Sequence, residues 1–397
     1  MIVTLKDITT KITKGTTPTS IGCKFEKSGI NFIKSESLVD GKTIDKSKFA
    51  FISERTHERL KRSQIEKNDI LFSMAGMFLG KTGIATAEVV PANTNQAVAI
   101  IRVDDTKANY EYVYYYLNQK SVIHTINTTS AQSAQPNINL KQIGEIKINL
   151  PDRKKQDQIV SLLSAIDLKI SNNVEINDNL EQQAATYFQE LFINNANPMW
   201  QISTISDLGT VVGGSTPSKT KPEYYTNNGI AWITPKDLSI NKSKFISHGE
   251  NDITELGLKN SSATVMPKGT VLFSSRAPIG YIAIASNEVT TNQGFKSVIP
   301  YSEIGTAFVY FFLKHSLPVI ESAASGSTFK EISGSAMKNI PAIIPDRNTL
   351  DQFNSFCAPI FAQQKILEEQ NHSLAMLRDS LLPKLMSSAI DIASIQL

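Results

Sequence analysis

The chain repeats itself. Ile30-Asn31-Phe32-Ile33-Lys34-Ser35-Glu36-Ser37-Leu38 returns as Ile230-Ala231-Trp232-Ile233-Thr234-Pro235-Lys236-Asp237-Leu238. Leu71-Phe72-Ser73 returns as Leu272-Phe273-Ser274, Asn95-Gln96 as Asn292-Gln293, and Pro151-Asp152-Arg153 as Pro345-Asp346-Arg347. The order is kept, and the offset stays between 194 and 201 residues. Such a chain must fold into two like halves, and its 397 residues suffice for two or three domains with cores of their own.

Each half opens β-rich. Asp69-Ile70-Leu71-Phe72-Ser73 and Val271-Leu272-Phe273-Ser274 are short apolar runs between Gly, Asn and Pro turn signals. Gln96 to Arg102 alternates as a strand does. Tyr112-Val113-Tyr114-Tyr115-Tyr116-Leu117 and Phe308-Val309-Tyr310-Phe311-Phe312-Leu313 then read as aromatic helices that pack a core, rather than platforms for stacking bases. After Pro151 neither Gly nor Pro occurs until Pro198. Over that stretch Ile159, Leu163, Ile166, Ile170, Asn173, Asn177, Leu180, Ala184, Tyr187 and Leu191 recur at helical spacing. After Pro345, Phe353, Ile360, Leu367, Leu374 and Leu381 fall seven apart, which is a heptad seam. Asp152 and Asp346 are candidate N-caps. Asn173 and Asn177 in the seam are the kind of buried polar residue that fixes register.

The expected plan is α+β, with two similar α/β domains at 1–150 and 197–344 and long helices at 151–196 and 345–397. Paired seams require the helices to run antiparallel as a coiled coil, with Leu397 returning towards the first head. About 40 residues at 1.5 Å each give a spacer of roughly 60 Å. The expected result is a pseudo-two-fold dumbbell. DNA is the commonest ligand with local two-fold symmetry of its own.

Charge is distributed accordingly. Residues 1–150 hold 20 Lys+Arg against 14 Asp+Glu and residues 197–344 hold 12 against 10, whereas both long-helix segments are net acidic. Heads that meet phosphate would carry that sign. Cys23 and Cys357 are the only cysteines, so a disulfide framework or thiolate zinc site is not expected. No leader-like N-terminus and no apolar run of about 18 residues is present, which points to a soluble cytoplasmic protein without membrane contact. Ala75-Gly76-Met77-Phe78-Leu79-Gly80-Lys81-Thr82 resembles a phosphate loop, but its first Gly is one place late and a strand follows where a helix is needed. Pro151-Asp152 with Lys154 and Lys155 resembles a nuclease signature, yet a helix cap explains both copies. His57, His124, His248, His315 and His372 lack metal-ligand spacing. Neither a catalytic residue nor a metal ligand is identified.

Three donor-rich loops and one turn recur. Lys14, Gly15, Thr16 and Thr17 have a counterpart in Gly214, Ser215, Thr216 and Lys219, where hydroxyls, backbone N–H groups and lysines suit phosphate. A plain Gly/Pro turn is the competing reading. Lys34 and Ser35 correspond to Thr234 and Lys236. Ser73 and Met74 correspond to Ser274, Ser275 and Arg276, and Arg276 suits guanine or phosphate. Asn95-Gln96 and Asn292-Gln293 suit adenine, or tie a strand to a neighbouring turn.

These stretches resemble the specificity subunit of type I restriction–modification systems, above all Trp232 to Leu238, Leu272 to Gly280 and Thr291-Asn292-Gln293-Gly294-Phe295. Met74-Ala75-Gly76-Met77 departs from the resemblance where Arg-Ala-Pro is expected. The resemblance implies two target-recognition domains that read a bipartite, asymmetric double-stranded DNA site. It implies that the long helices, with Ile159, Leu163, Ile166, Ile170, Phe353, Ile360, Leu367, Leu374 and Leu381, bind two modification subunits that methylate adenine N6. Two restriction subunits would add ATP-dependent translocation and cleavage. S-adenosylmethionine would then sit on the modification subunits, ATP and Mg on the restriction subunits, and no cofactor on this chain. The alternatives are a self-sufficient methyltransferase or nuclease, a specificity subunit of a related defence system, and a coiled-coil scaffold.

Overall fold

A computed structural model of the chain describes residues 1–397 apart from 40, 131–136, 327–329, 391 and 393–397, so Leu397 lies outside the described residues. The chain divides into two compact units, Met1–Leu168 with Leu374–Leu397, and Lys169–Ser373.

In the first unit an antiparallel sheet runs in the order Thr9–Lys14, Val98–Val103, Ile70–Ser73, Thr82–Ile84. A second sheet runs Ala50–Ile52, Ile30–Ile33, Ala92–Thr94, Gln64–Ile65, with Ile30–Ile33 parallel to Ala92–Thr94. Ile2–Thr4 pairs with Lys147–Asn149. The second unit repeats this wiring. Gly209–Gly213, Lys296–Pro300, Val271–Ser275 and Ile279–Ala285 form one sheet, extended at the edge by Phe245–Ile246. Tyr225–Thr226, Asn251–Ile253, Ile230–Ile233 and Thr290–Thr291 form the other, with Ile230–Ile233 parallel to Thr290–Thr291 as its counterpart is in the first unit. Gln201–Thr204 pairs with Pro341–Ile344. The sequence repeat is thus a repeat of topology.

The central strands are buried on both faces, which is why their apolar runs are continuous. Successive side chains point to opposite faces of a strand. Ile70, Phe72, Ala99 and Ile101 therefore pack on the aromatic helix Tyr110–Leu117, while Leu71, Val98 and Ile100 pack towards the second sheet. In the second unit Val271, Phe273 and Val298 face the helix Thr306–His315, and Leu272, Ala283 and Phe295 face the other way. Both aromatic helices spend their rings on the core, as their sequence suggested. Thr82–Ile84 is a strand, as the rejection of a phosphate loop required.

The long helices are Arg153–Gln189 and Arg347–Met386. Asp152 accepts the Lys155 N–H at 2.9 Å, and Asp346 accepts the Thr349 N–H at 3.0 Å, so both Pro-Asp pairs are helix caps. In the first unit Ile159 and Leu163 share a core with Leu382, Leu385 and Met386, and Arg378 donates to Asp167 at 3.0 Å. In the second unit Asn173 donates to Asn371 at 2.9 Å, Gln364 donates to the Asn177 carbonyl at 3.1 Å, and Phe188 and Phe192 pack edge-to-face against Phe353. Within each unit, then, the two helix segments run antiparallel.

This corrects one expectation. Ile159, Leu163, Ile166, Phe353, Ile360 and Leu367 are buried, and Ile170, Leu374 and Leu381 are half-buried. Ile159, Leu163, Phe353 and Ile360 belong to the heads' own hydrophobic cores, and Leu381 packs against one of them. Those buried side chains are spent inside the chain; the long helices leave exposed Leu168, Val174, Ile176, Phe356, Ile366, Met376 and Leu377.

Candidate functional site

The recurring loops converge, and the same device fuses them in both heads. Gly15 leaves no room for a side chain: a Cβ there would stand 1.9 Å from the Thr94 carbonyl oxygen and 2.4 Å from that of Asn95. Gly214 is its counterpart, with the Asn292 carbonyl oxygen at 1.9 Å and that of Thr291 at 2.4 Å. The Thr16 N–H then donates to the Thr94 carbonyl at 3.0 Å, and the Ser215 N–H to the Thr291 carbonyl at 2.9 Å. Two residues past each glycine a threonine hydroxyl donates to a glutamine side-chain oxygen, Thr17 to Gln96 and Thr216 to Gln293. The glycine loop and the Asn-Gln turn are therefore one surface. Within the turn the asparagines work locally: Asn95 accepts the Ala97 N–H at 3.1 Å and Asn292 the Gly294 N–H at 2.9 Å. The glutamines beside them are exposed.

In the second head this surface borders a cleft of about 830 Å³ lined by Thr216, Lys219, Thr234, Lys236, Arg276, Asn292 and Gln293, all singled out by sequence. Tyr225, Trp232, Asp237, Glu250 and Asn251 also line it. Gly214 and Ser215 lie beneath; the Ser215 carbonyl accepts the Trp232 indole N–H at 3.0 Å and so fixes the ring. Thr234 caps the short helix Pro235–Ile240 through a reciprocal pairing with Asp237, and this places Lys236 at the rim. Glu250, 2.6 Å from the Lys236 ammonium, holds that amine above its ordinary range. Arg276 donates to Glu331 at 3.3 Å, and Lys296 stands 3.8 Å from the same carboxylate. Ala277 beside it adopts φ 56°, uncommon without glycine. Gly76, its counterpart, also takes a positive φ, 71°, although Met74-Ala75-Gly76-Met77 lacks the arginine and Gly76–Phe78 goes on as a turn of 3-10 helix.

Four of the sequence candidates are turned inward. Ser73, Ser274 and Ser275 are fully buried, and Met74 belongs to the core of the first head. They close the central strand, whose both faces are covered, and present nothing to a ligand. In the first head Lys14 is exposed at a strand end, and Arg62 donates to Thr16 at 3.1 Å. Lys34 lies over the Phe25 ring, with Ser35 half-buried beside it. Tyr225 and Glu250 carried no repeat signal, and only the pairing of Tyr225–Thr226 and Ile230–Ile233 with Asn251–Ile253 brings them to the cleft. Cys357 is buried in the aromatic core, where burial pushes its thiol up to about 12, which keeps it protonated and unreactive at neutral pH. Among the described residues no cluster of His, Cys, Asp or Glu could hold a metal, and no helix is long and apolar enough to cross a membrane.

The surface is thus built from hydrogen-bonding groups at equivalent positions of both heads. The family model for the type I restriction modification DNA specificity domain matches residues 1–182 and again 197–371. The chain belongs to this family. Membership assigns it the DNA-recognition role the family is named for. The type I restriction enzyme MjaIX specificity subunit of Methanocaldococcus jannaschii is 43% identical over 162 residues, a match covering 40% of this chain and 37% of that relative. The HindI specificity subunit of Haemophilus influenzae is 21% identical over 83% of this chain and 88% of the relative. The S subunit of a type I restriction-modification system from M. genitalium has the same fold, with a TM-score of 0.57 at 16% identity over 97% of this chain and 95% of that one.

Proposed function

We propose that each head of this chain reads one half of a split, asymmetric site on double-stranded DNA, and that the chain does no chemistry of its own. The observation that carries this reading is the glycine-clamped loop-and-turn surface, built twice in one chain from equivalent residues. In the second head Lys219, Lys236 and Arg276 supply charge for phosphate or guanine, while Thr216 and Gln293 supply neutral donors and acceptors. In the first head Lys14, Thr16, Thr17, Lys34 and Gln96 take those roles.

Domain boundaries near residues 150, 196 and 344 follow from the repeat. The long helices set the distance between half-sites and bind two modification subunits that methylate adenine N6, through exposed apolar side chains such as Leu168, Ile366 and Met376 rather than through the buried seam. S-adenosylmethionine belongs to those subunits, and ATP and Mg to two restriction subunits, all in the cytoplasm with the DNA. The test is single-molecule sequencing of methylated adenines in a host that expresses the chain with its modification partner. The expected pattern is one motif with two defined halves and a fixed unspecified spacer. A continuous motif, or methylation by the purified chain alone, would refute the reading.

A further inference from the structure

Each head plants one lysine into the long helices. Lys244 ends the segment before the edge strand Phe245–Ile246, and its side chain is only 6% exposed. Its ammonium pairs with Glu181 of the first long helix and donates to Gln364 of the second at 2.6 Å. The ammonium also sits 4.1 Å from the Phe361 ring centroid and 4.8 Å from that of Tyr310. Glu368 adds a clamp on the backbone, accepting the Lys244 N–H at 2.7 Å and the Phe245 N–H at 3.1 Å. Burial alone would lift the Glu181 carboxyl, but Lys244 and Lys314 beside it hold it below its ordinary range, while burial lowers the Lys244 ammonium against the pull of Glu181.

Lys42 does the same in the first head. It donates to Glu111 at 2.5 Å and to Ser164 of the long helix at 2.8 Å, with Asp167 at 3.9 Å and the Tyr115 ring centroid at 4.4 Å. Asp167 in turn accepts from Tyr115 at 2.5 Å and from Arg378 of the other long helix at 3.0 Å. The two lysines are equivalent in backbone position: the Lys42 carbonyl accepts the Ile84 N–H at 2.9 Å, and the Lys244 carbonyl accepts the Ile284 N–H at 2.7 Å. Their acidic partners come from different places. What recurs is an ammonium at one point of the head, held by the helices.

A buried ion pair is a poor source of stability, because a well-packed apolar replacement often does as well; its directional bonds fix geometry instead. We propose that Lys42 and Lys244 are positioning residues that fix the angle of each head on its long helices, and thereby confine the two half-sites to one spacing. This rests on the bipartite reading above.

The test is Lys244→Met in the full chain, expressed with its modification partner and read by methylated-adenine sequencing. Methionine keeps the apolar stem against Phe361 and removes the charge. Both half-site sequences should persist, while the preference for the parent spacing over spacings one base pair longer or shorter falls about tenfold. A hydrogen bond to a charged group is worth about 1.5 kcal/mol, which is that factor. Lys42→Met should do the same from the other head. Glu181→Gln, which keeps the size and an acceptor, covers the case in which Lys244→Met does not assemble. Leu272→Ala, in the core of the same head, should lower yield without changing the spacing ratio. Unchanged spacing in assembled latch variants, or equal broadening by Leu272→Ala, overturns the latch alone. A wild-type motif without two halves overturns the functional reading and the latch with it.

Discussion

Gly214→Ala tests whether the fused loop and turn is the reading surface. The new Cβ would stand 1.9 Å from the Asn292 carbonyl oxygen, where real Cβ contacts essentially never fall under 3.0 Å, so loop and turn must part by at least 1.1 Å. The Ser215 N–H to Thr291 carbonyl bond, now 2.9 Å, then leaves hydrogen-bond range. The Thr216 to Gln293 bond goes with it. Overpacking and the two lost hydrogen bonds, of which the Thr216 one is exposed and worth little, together cost about 2–4 kcal/mol. That is less than the 5–15 kcal/mol or so that holds a domain together, so the head should stay folded with its surface split. Displacing two or more contacts at roughly 1–3 kcal/mol each should weaken DNA binding by a hundredfold or more. The assay is fluorescence anisotropy on a duplex carrying the methylated motif, beside thermal unfolding of the same preparation. Wild-type affinity in a folded Gly214→Ala chain would refute the reasoning. Gly15→Ala offers the same test in the first head.

Arg276→Ala should weaken binding by about 1–3 kcal/mol at matched salt. Its side chain is only partly buried, so unfolding should barely move; affinity equal to wild type would make it a bystander. Asn173 is fully buried with its side-chain carbonyl unpartnered among the described residues. Asn173→Leu should therefore raise the unfolding midpoint by a few degrees, since an orphaned buried polar group costs about 1–3 kcal/mol. A lowered midpoint would show that the bond to Asn371 outweighs the orphan.

The repeat made the duplicated topology legible, because both halves keep the same apolar strands and turn residues in order. The Pro-Asp caps and the aromatic helices were legible for the same reason: cap and core signals are local. Contacts that span long stretches of chain were not. Lys244 reads as an ordinary surface lysine until Glu181 and Glu368, 63 and 124 residues away, are seen to close over it. Ser73, Met74, Ser274 and Ser275 read as surface residues because they adjoin a recurring turn, but the serines end strands covered on both faces and Met74 packs into the core. The heptad seam was real as periodicity. Its partners are the other helix and the heads, because Phe188, Phe192 and Phe311 already fill the space around Phe353.

Replacing residues 1–150 with the matching domain of a relative that reads a different half-site, then sequencing methylated adenines, tests the two-head reading most directly. The expected motif keeps the half read by residues 197–344 and the spacer, and exchanges only the other half. A chimera that assembles and methylates but changes both halves, or neither, would contradict the claim that each head reads its own part of the site.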